Sequence, residues 1–180
     1  MNSQKVLTVS NFLSFIRIFF IFPIVHYLSM PDNSGNTTAL IYIVIAIITD
    51  WLDGYAARKL NQVTELGKVL DPLADKLCTI TTLITLSVYQ DFPWWLTIVI
   101  IIRDILIVFG SIFIFSRKQS VTASNMPGKI TIFLISVLVL VFILKIEYLI
   151  TPLIILSLIM IIYSAVSYAL VFKSNYIIQQ

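Results

Sequence analysis

Long uninterrupted apolar runs constrain this chain more than any other feature. A membrane-crossing helix needs roughly 20 consecutive, mostly apolar residues. Six stretches meet that requirement: Asn11–Met30, Thr38–Ala57, Gly67–Tyr89, Pro93–Phe115, Gly128–Leu144 and Tyr148–Phe172. None alternates polar and apolar residues as barrel strands do. Only 12% of the residues are charged and 59% are hydrophobic, whereas soluble domains carry about a quarter charged residues. Too few polar side chains exist to wet a globular surface. The expected fold is therefore all-α and integral to the membrane, with six transmembrane helices in one domain spanning 1–180. The stretch Lys5–Ser10 reads as a short interfacial segment before the first span, and Pro23 as a kink site within it. Lys5 followed by an apolar run imitates a signal peptide. Arg17 interrupts that run, however, and no small-residue cleavage site precedes Pro23 and His26, so a span is the better reading.

The connections alternate in charge. Met30–Thr37, Tyr89–Pro93 and Lys145–Tyr148 hold few bases, whereas Arg58, Lys59 and Lys68 cluster at the second connection and Arg117, Lys118 and Lys129 at the fourth. Lys and Arg collect on the cytoplasmic side. Both termini and the two base-rich connections are thus expected there, in a multi-pass protein of the bacterial inner membrane. The net charge of +3 is too small to suggest a nucleic-acid partner. The sole cysteine, Cys78, excludes an internal disulfide and reads as a small buried hydrophobe.

Four carboxylates stand out against this background. Asp50 and Asp53 fall near the cytoplasmic end of the second span, and Asp71 and Asp75 just inside the third. Spacings of three and four place each pair on one helix face. Intramembrane carboxylates are costly and mark function by default. Four on adjoining helix ends repel unless cations neutralise them. Two divalent ions balance the charge, and an all-oxygen donor set favours Mg²⁺, Mn²⁺ or Ca²⁺ over zinc. Solvated acids at helix ends are the plainer alternative, but these rarely occur as two same-face pairs. Gly54 and Ala57 share the face of Asp50 and Asp53, and Gly67 lies one turn before Asp71. Such small residues admit a ligand, or a neighbouring helix, close to the backbone.

The run from Asp50 through Asp53-Gly54, Ala57-Arg58 and Gly67 to Asp71 and Asp75 resembles, without a gap, the signature of the CDP-alcohol phosphotransferase family, D-x2-D-G-x2-A-R-x8-G-x3-D-x3-D. It covers 26 residues, and the six-span layout extends the likeness over the chain. The resemblance implies that Asp50, Asp53, Asp71 and Asp75 hold two Mg²⁺ or Mn²⁺ ions. It further implies that Asp75 is the general base on the acceptor hydroxyl, and that Gly54, Ala57, Arg58 and Gly67 contact the CDP-lipid. The alkoxide then attacks the lipid-side phosphorus directly and CMP departs. Homodimerisation is implied in the same way, as is an active site facing the cytoplasm.

Within the family, the flanking residues resemble phosphatidylglycerophosphate synthases and also the cardiolipin synthases of the same fold. Both use CDP-diacylglycerol; the first transfers to glycerol 3-phosphate, the second to phosphatidylglycerol. The opening Asn11-Phe-Leu-Ser14-Phe-Ile-Arg17 is common to both. There Arg17 either faces a lipid phosphate or snorkels to the interface. Arg103-Asp104, deep in the fourth run, replaces the Arg-Glu of the first group, and Ser111 stands where that group has a second Arg. Ser124-Asn-Met-Pro-Gly128-Lys129 resembles that group's S-x-x-G-K element. Arg103, Lys129, Arg117 and Ser124 are accordingly the expected acceptor-binding residues. The favoured acceptor is glycerol 3-phosphate, giving phosphatidylglycerophosphate and CMP; phosphatidylglycerol is the alternative. A membrane transporter with an intramembrane acidic metal site is an alternative of another class, which leaves the set spacing of Gly54, Ala57-Arg58 and Gly67 unexplained.

Overall fold

The computed structural model describes the backbone of residues 9–59, 65–116 and 126–177, and side chains within 15–49, 73–107 and 126–168. Six α-helices account for nearly all of it: α1 (Val9–Leu28), α2 (Asn36–Lys59), α3 (Glu65–Tyr89), α4 (Trp94–Ser116), α5 (Met126–Ile143) and α6 (Glu147–Ile177). No strand occurs among the described residues. The helices coincide with the six apolar runs to within a few residues, because leucine, isoleucine and alanine side chains favour or tolerate the helix while hydrocarbon requires backbone groups to pair internally. Val9 and Ser10 begin α1 rather than preceding it; Lys5–Thr8 lie outside the described residues. Pro23 lies inside α1 and Pro152 inside α6.

Among the described residues, length and apolarity alone qualify two helical segments as candidate spans, Met126–Ile143 and Glu147–Tyr168, with mean hydropathies of 2.3 and 2.5. Phe15–Leu28 and Asn36–Thr49 are apolar but shorter among the described residues. Large apolar side chains, including Phe19, Phe22, Leu106, Phe133 and Ile162, point outward, as they would toward lipid.

The chain divides into two compact units, Met1–Trp94 and Trp95–Gln180. In the first, α1 packs against both α2 and α3. Ala39 and Ala46, seven residues apart on α2, are buried together with Ile24, Leu28, Ala74, Leu83 and Leu86. Tyr42 stacks on Tyr27, with ring centroids 5.8 Å apart. Hydroxyls inside α3 are satisfied locally: Thr82, Thr85 and Ser87 donate to the carbonyls of Cys78, Thr81 and Leu83. Such back-bonding lets a polar side chain sit in an apolar helix. At one end, Asn36 and Gln90 exchange side-chain amide hydrogen bonds of 3.2 and 2.6 Å, and Gln90 also donates to the Leu28 carbonyl at 3.0 Å. One side chain thereby joins the ends of α1, α2 and α3. Nearby, Gly35 is required sterically, since a Cβ there would meet the Tyr27 carbonyl.

In the second unit, α5 packs on α6. Gly128, Thr131, Ile135 and Leu138 of α5 are buried, as are Ser157, Ile161 and Ser164 of α6. Thr131 Oγ1 lies 2.8 Å from the Pro127 carbonyl and 3.1 Å from that of Met160, bridging the helices. The turn between them is a Schellman cap. Ile146 N–H donates to Val141 and Lys145 N–H to Phe142, with Lys145 in the left-handed region at φ 56°.

Candidate functional site

The aspartates lie in the first unit. The backbone is helical through Asp50–Lys59 and from Glu65 through Asp75, so helical spacing groups Asp50 with Asp53, Gly54 and Ala57, and Gly67 with Asp71 and Asp75. Asp75 is exposed. The side chains of Asp50, Asp53, Asp71, Gly54, Ala57, Arg58 and Gly67 fall outside the described set, and among the described residues no group of three or more His, Cys, Asp or Glu forms a cluster. Arg17, on α1, is only 2% exposed. It lies within Coulombic reach of the Cys78 thiol, as does Asp75. Its side chain is therefore buried rather than turned outward.

The donor chemistry fits divalent cations. Two carboxylate pairs at same-face spacing would supply hard oxygen ligands with no His or Cys among them. The exposure of Asp75 leaves its carboxylate accessible to a ligand.

The expected acceptor residues belong to the second unit. Arg103 and Asp104 are each 6% exposed. Neighbouring residues diverge on a helix, yet the long Arg103 stem curls back, and Nη1 donates to Asp104 Oδ1 at 2.8 Å. Nη2 donates to the Gly128 carbonyl at 3.3 Å. The buried Nε has no hydrogen-bond partner among the described residues. Removing two charges from water costs several kcal/mol per ion, so stability is a weak reason to keep this pair and function a stronger one.

The structure thus brings Arg103 to the first turn of α5, which also carries Lys129. The Lys129 side chain is exposed, one residue and about 100° around the helix from buried Gly128. Arg117 and Ser124 lie outside the described residues. A depression lined by Lys145, Ile146, Glu147 and Tyr148 is the open surface of the α5–α6 turn, at the other end of α5 from Gly128.

Tyr168 is a neighbour that sequence reading missed. It approaches Gly128 so closely that a Cβ at residue 128 would stand 2.8 Å from its hydroxyl. The 4-3-4 spacing of Ser157, Ile161, Ser164 and Tyr168 along α6 was a legible sign that Tyr168 shares the buried face.

Known proteins similar to this chain bear on this arrangement. A Bacillus subtilis (strain 168) protein named CDP-diacylglycerol--glycerol-3-phosphate 3-phosphatidyltransferase is 44% identical over 106 residues, covering 57% of this chain and 54% of the relative. An Aquifex aeolicus protein of the same name is 34% identical over 132 residues, covering 72% of each. A Mycobacterium tuberculosis (strain H37Rv) protein named putative cardiolipin synthase is 33% identical over 133 residues, covering 74% of this chain and 63% of the relative. The matched region thus spans little more than half of the Bacillus relative and under two thirds of the mycobacterial one. A sequence model described as CDP-alcohol phosphatidyltransferase matches residues 7–171, running through both units and the whole aspartate motif, and the chain belongs to the CDP-alcohol phosphatidyltransferase family.

Proposed function

We propose that this protein transfers the phosphatidyl group of CDP-diacylglycerol to glycerol 3-phosphate, giving phosphatidylglycerophosphate and CMP. The observation that carries this reading is the ungapped series Asp50–Asp53–Gly54–Ala57–Arg58–Gly67–Asp71–Asp75 on two continuous helices. The names borne by the Bacillus and Aquifex relatives support the acceptor. Asp50, Asp53, Asp71 and Asp75 would hold two Mg²⁺ or Mn²⁺ ions, which when bound supply charge neutralisation at the diphosphate. Gly54, Ala57 and Gly67 leave room for the cytidine nucleotide, and Arg58 supports its phosphates. Asp75 takes the proton from the acceptor hydroxyl. The oxygen forms a bond to the lipid-side phosphorus as the phosphorus–oxygen bond to CMP breaks. Arg103, Lys129, Arg117 and Ser124 bind the acceptor phosphate, the guanidinium being suited to paired oxygens.

The reading extends to architecture. All six helices cross a bacterial inner membrane as a single catalytic domain, with both termini and the aspartates on the cytoplasmic side, and the protein works as a homodimer.

A second reading, cardiolipin synthesis with phosphatidylglycerol as acceptor, draws on the Arg103–Asp104 pair. That pairing offsets one of the charges a doubly ionised phosphate would use, and a phosphodiester needs fewer cations. Purified protein with CDP-diacylglycerol and Mg²⁺ or Mn²⁺ distinguishes the two. Glycerol 3-phosphate should release CMP and phosphatidylglycerophosphate, and EDTA should stop the reaction until metal is restored. Cardiolipin formed from phosphatidylglycerol, with glycerol 3-phosphate ignored, would establish the second reading. Full turnover in chelator would exclude the metal role.

A further inference from the structure

We propose that Tyr168 on α6 and Gly128 on α5 are positioning residues that fix the guanidinium of Arg103 for the acceptor phosphate; this rests on the reading of Arg103 as an acceptor-binding cation. Arg103 has three donor nitrogens, and two are occupied: Nη1 by Asp104 Oδ1 at 2.8 Å and Nη2 by the Gly128 carbonyl at 3.3 Å. These two bonds set the plane of the guanidinium and hence the direction of Nε, which is buried with no hydrogen-bond partner among the described residues. A buried donor left without a partner is costly, and an anion's oxygen would satisfy it.

The Asp104 anchor comes from Arg103's own helix. The Gly128 anchor does not, and its position depends on how α5 is seated. A carbonyl oxygen has two lone pairs, so the Gly128 carbonyl can accept from Arg103 while retaining its helical bond. Two features of the α5–α6 contact seat this turn. Thr131 bridges to the Met160 carbonyl at 3.1 Å. The Tyr168 ring lies over Gly128 in the space where a side chain would begin: a Cβ there would meet the hydroxyl at 2.8 Å and ring carbons Cε2 and Cζ at 3.4 and 3.5 Å. Any side chain at residue 128 must displace either Tyr168 or the turn whose carbonyl holds Arg103. Glycine leaves the room into which the tyrosine closes down, with no positive φ involved.

The hydroxyl is the one atom in severe conflict, which permits a compensating exchange. Gly128→Ala inserts a methyl where the hydroxyl sits, Tyr168→Phe removes that hydroxyl, and the pair together exchanges one for the other at nearly constant volume. Displacing a positioning group by about 1 Å can cost as much as 10²-fold. Gly128→Ala should therefore raise the KM for glycerol 3-phosphate about tenfold, and Tyr168→Phe, which leaves a small gap, a few-fold. The double variant should lie closer to wild type than Gly128→Ala does, a non-additivity expected of residues in contact. The KM for CDP-diacylglycerol should stay within about twofold throughout, which general unfolding would not allow. Should Gly128→Ala fail to fold in detergent, Tyr168→Leu removes the brace without adding bulk and should raise the acceptor KM alone. Arg103→Gln separates the two levels of inference. If it leaves the acceptor KM at the wild-type value, Arg103 does not bind the acceptor and the positioning role falls with it. If Arg103→Gln raises the acceptor KM while the Gly128 and Tyr168 variants leave it unchanged, or raise both KM values equally, the positioning role alone is overturned. Should phosphatidylglycerol prove to be the acceptor, the same variants are read through its KM with the same outcomes deciding.

Discussion

At the scale of single residues, the chain carries charges where hydrocarbon makes them expensive, and each must be compensated. Arg103 and Asp104 compensate one another. Arg17 is buried on α1. The aspartates differ because four like charges need an external partner, and that requirement makes them candidates for metal binding. Asp75 has the most specific role proposed. Asp75→Asn should lower transfer by at least the 10²–10⁴-fold typical of a lost general base, with further loss if a metal ligand goes too. The variant should still insert in the membrane with unchanged helical circular dichroism. Turnover near the wild-type rate would rule out the assignment. Retained CDP-diacylglycerol binding, measured by equilibrium dialysis in detergent, would attribute the loss to the base rather than to the metal site.

At the scale of helices, polar side chains work at the ends while apolar faces fill the middle. Gln90 is the clearest case, reaching Asn36 on α2 and the Leu28 carbonyl at the end of α1. Gln90→Ala should cost roughly 1–3 kcal/mol, the penalty for removing one partner of a part-buried hydrogen-bonded group. A fall in the detergent thermal midpoint, with the KM for both substrates unchanged, would verify a purely structural role. An unchanged midpoint would show that this clamp contributes nothing. The helix ranges were readable in advance because apolar runs of this length have few alternatives in a membrane. The spacing of Ser157, Ile161, Ser164 and Tyr168 hints at a shared face of α6, but it does not name Gly128, forty residues away, as the partner on that face.

At the scale of the whole molecule, the proposed orientation rests on the base-rich connections, and it can be measured. In a Cys78→Ala background, a cysteine at Asn61 should resist a membrane-impermeant thiol reagent in intact cells, and one at Asn33 should react. The opposite pattern would reverse the orientation and place the aspartates on the outer side. The amino-acid sequence by itself determined the helical class, the approximate limits of six helices, the same-face spacing of the acids and the family. All of these depend on residues close together in the chain, through helix period, length and motif spacing. Only the tertiary structure decided which groups meet: Asp104 and the Gly128 carbonyl at Arg103, Tyr168 over Gly128, and Gln90 beside Asn36. The physical reason is that lipid tails are as apolar as a packed helix face. A hydrophobic pattern in a membrane helix therefore does not distinguish the side that meets protein from the side that meets lipid. Steric fit and a few long-range hydrogen bonds make that choice, and they exist only once the helices have come together.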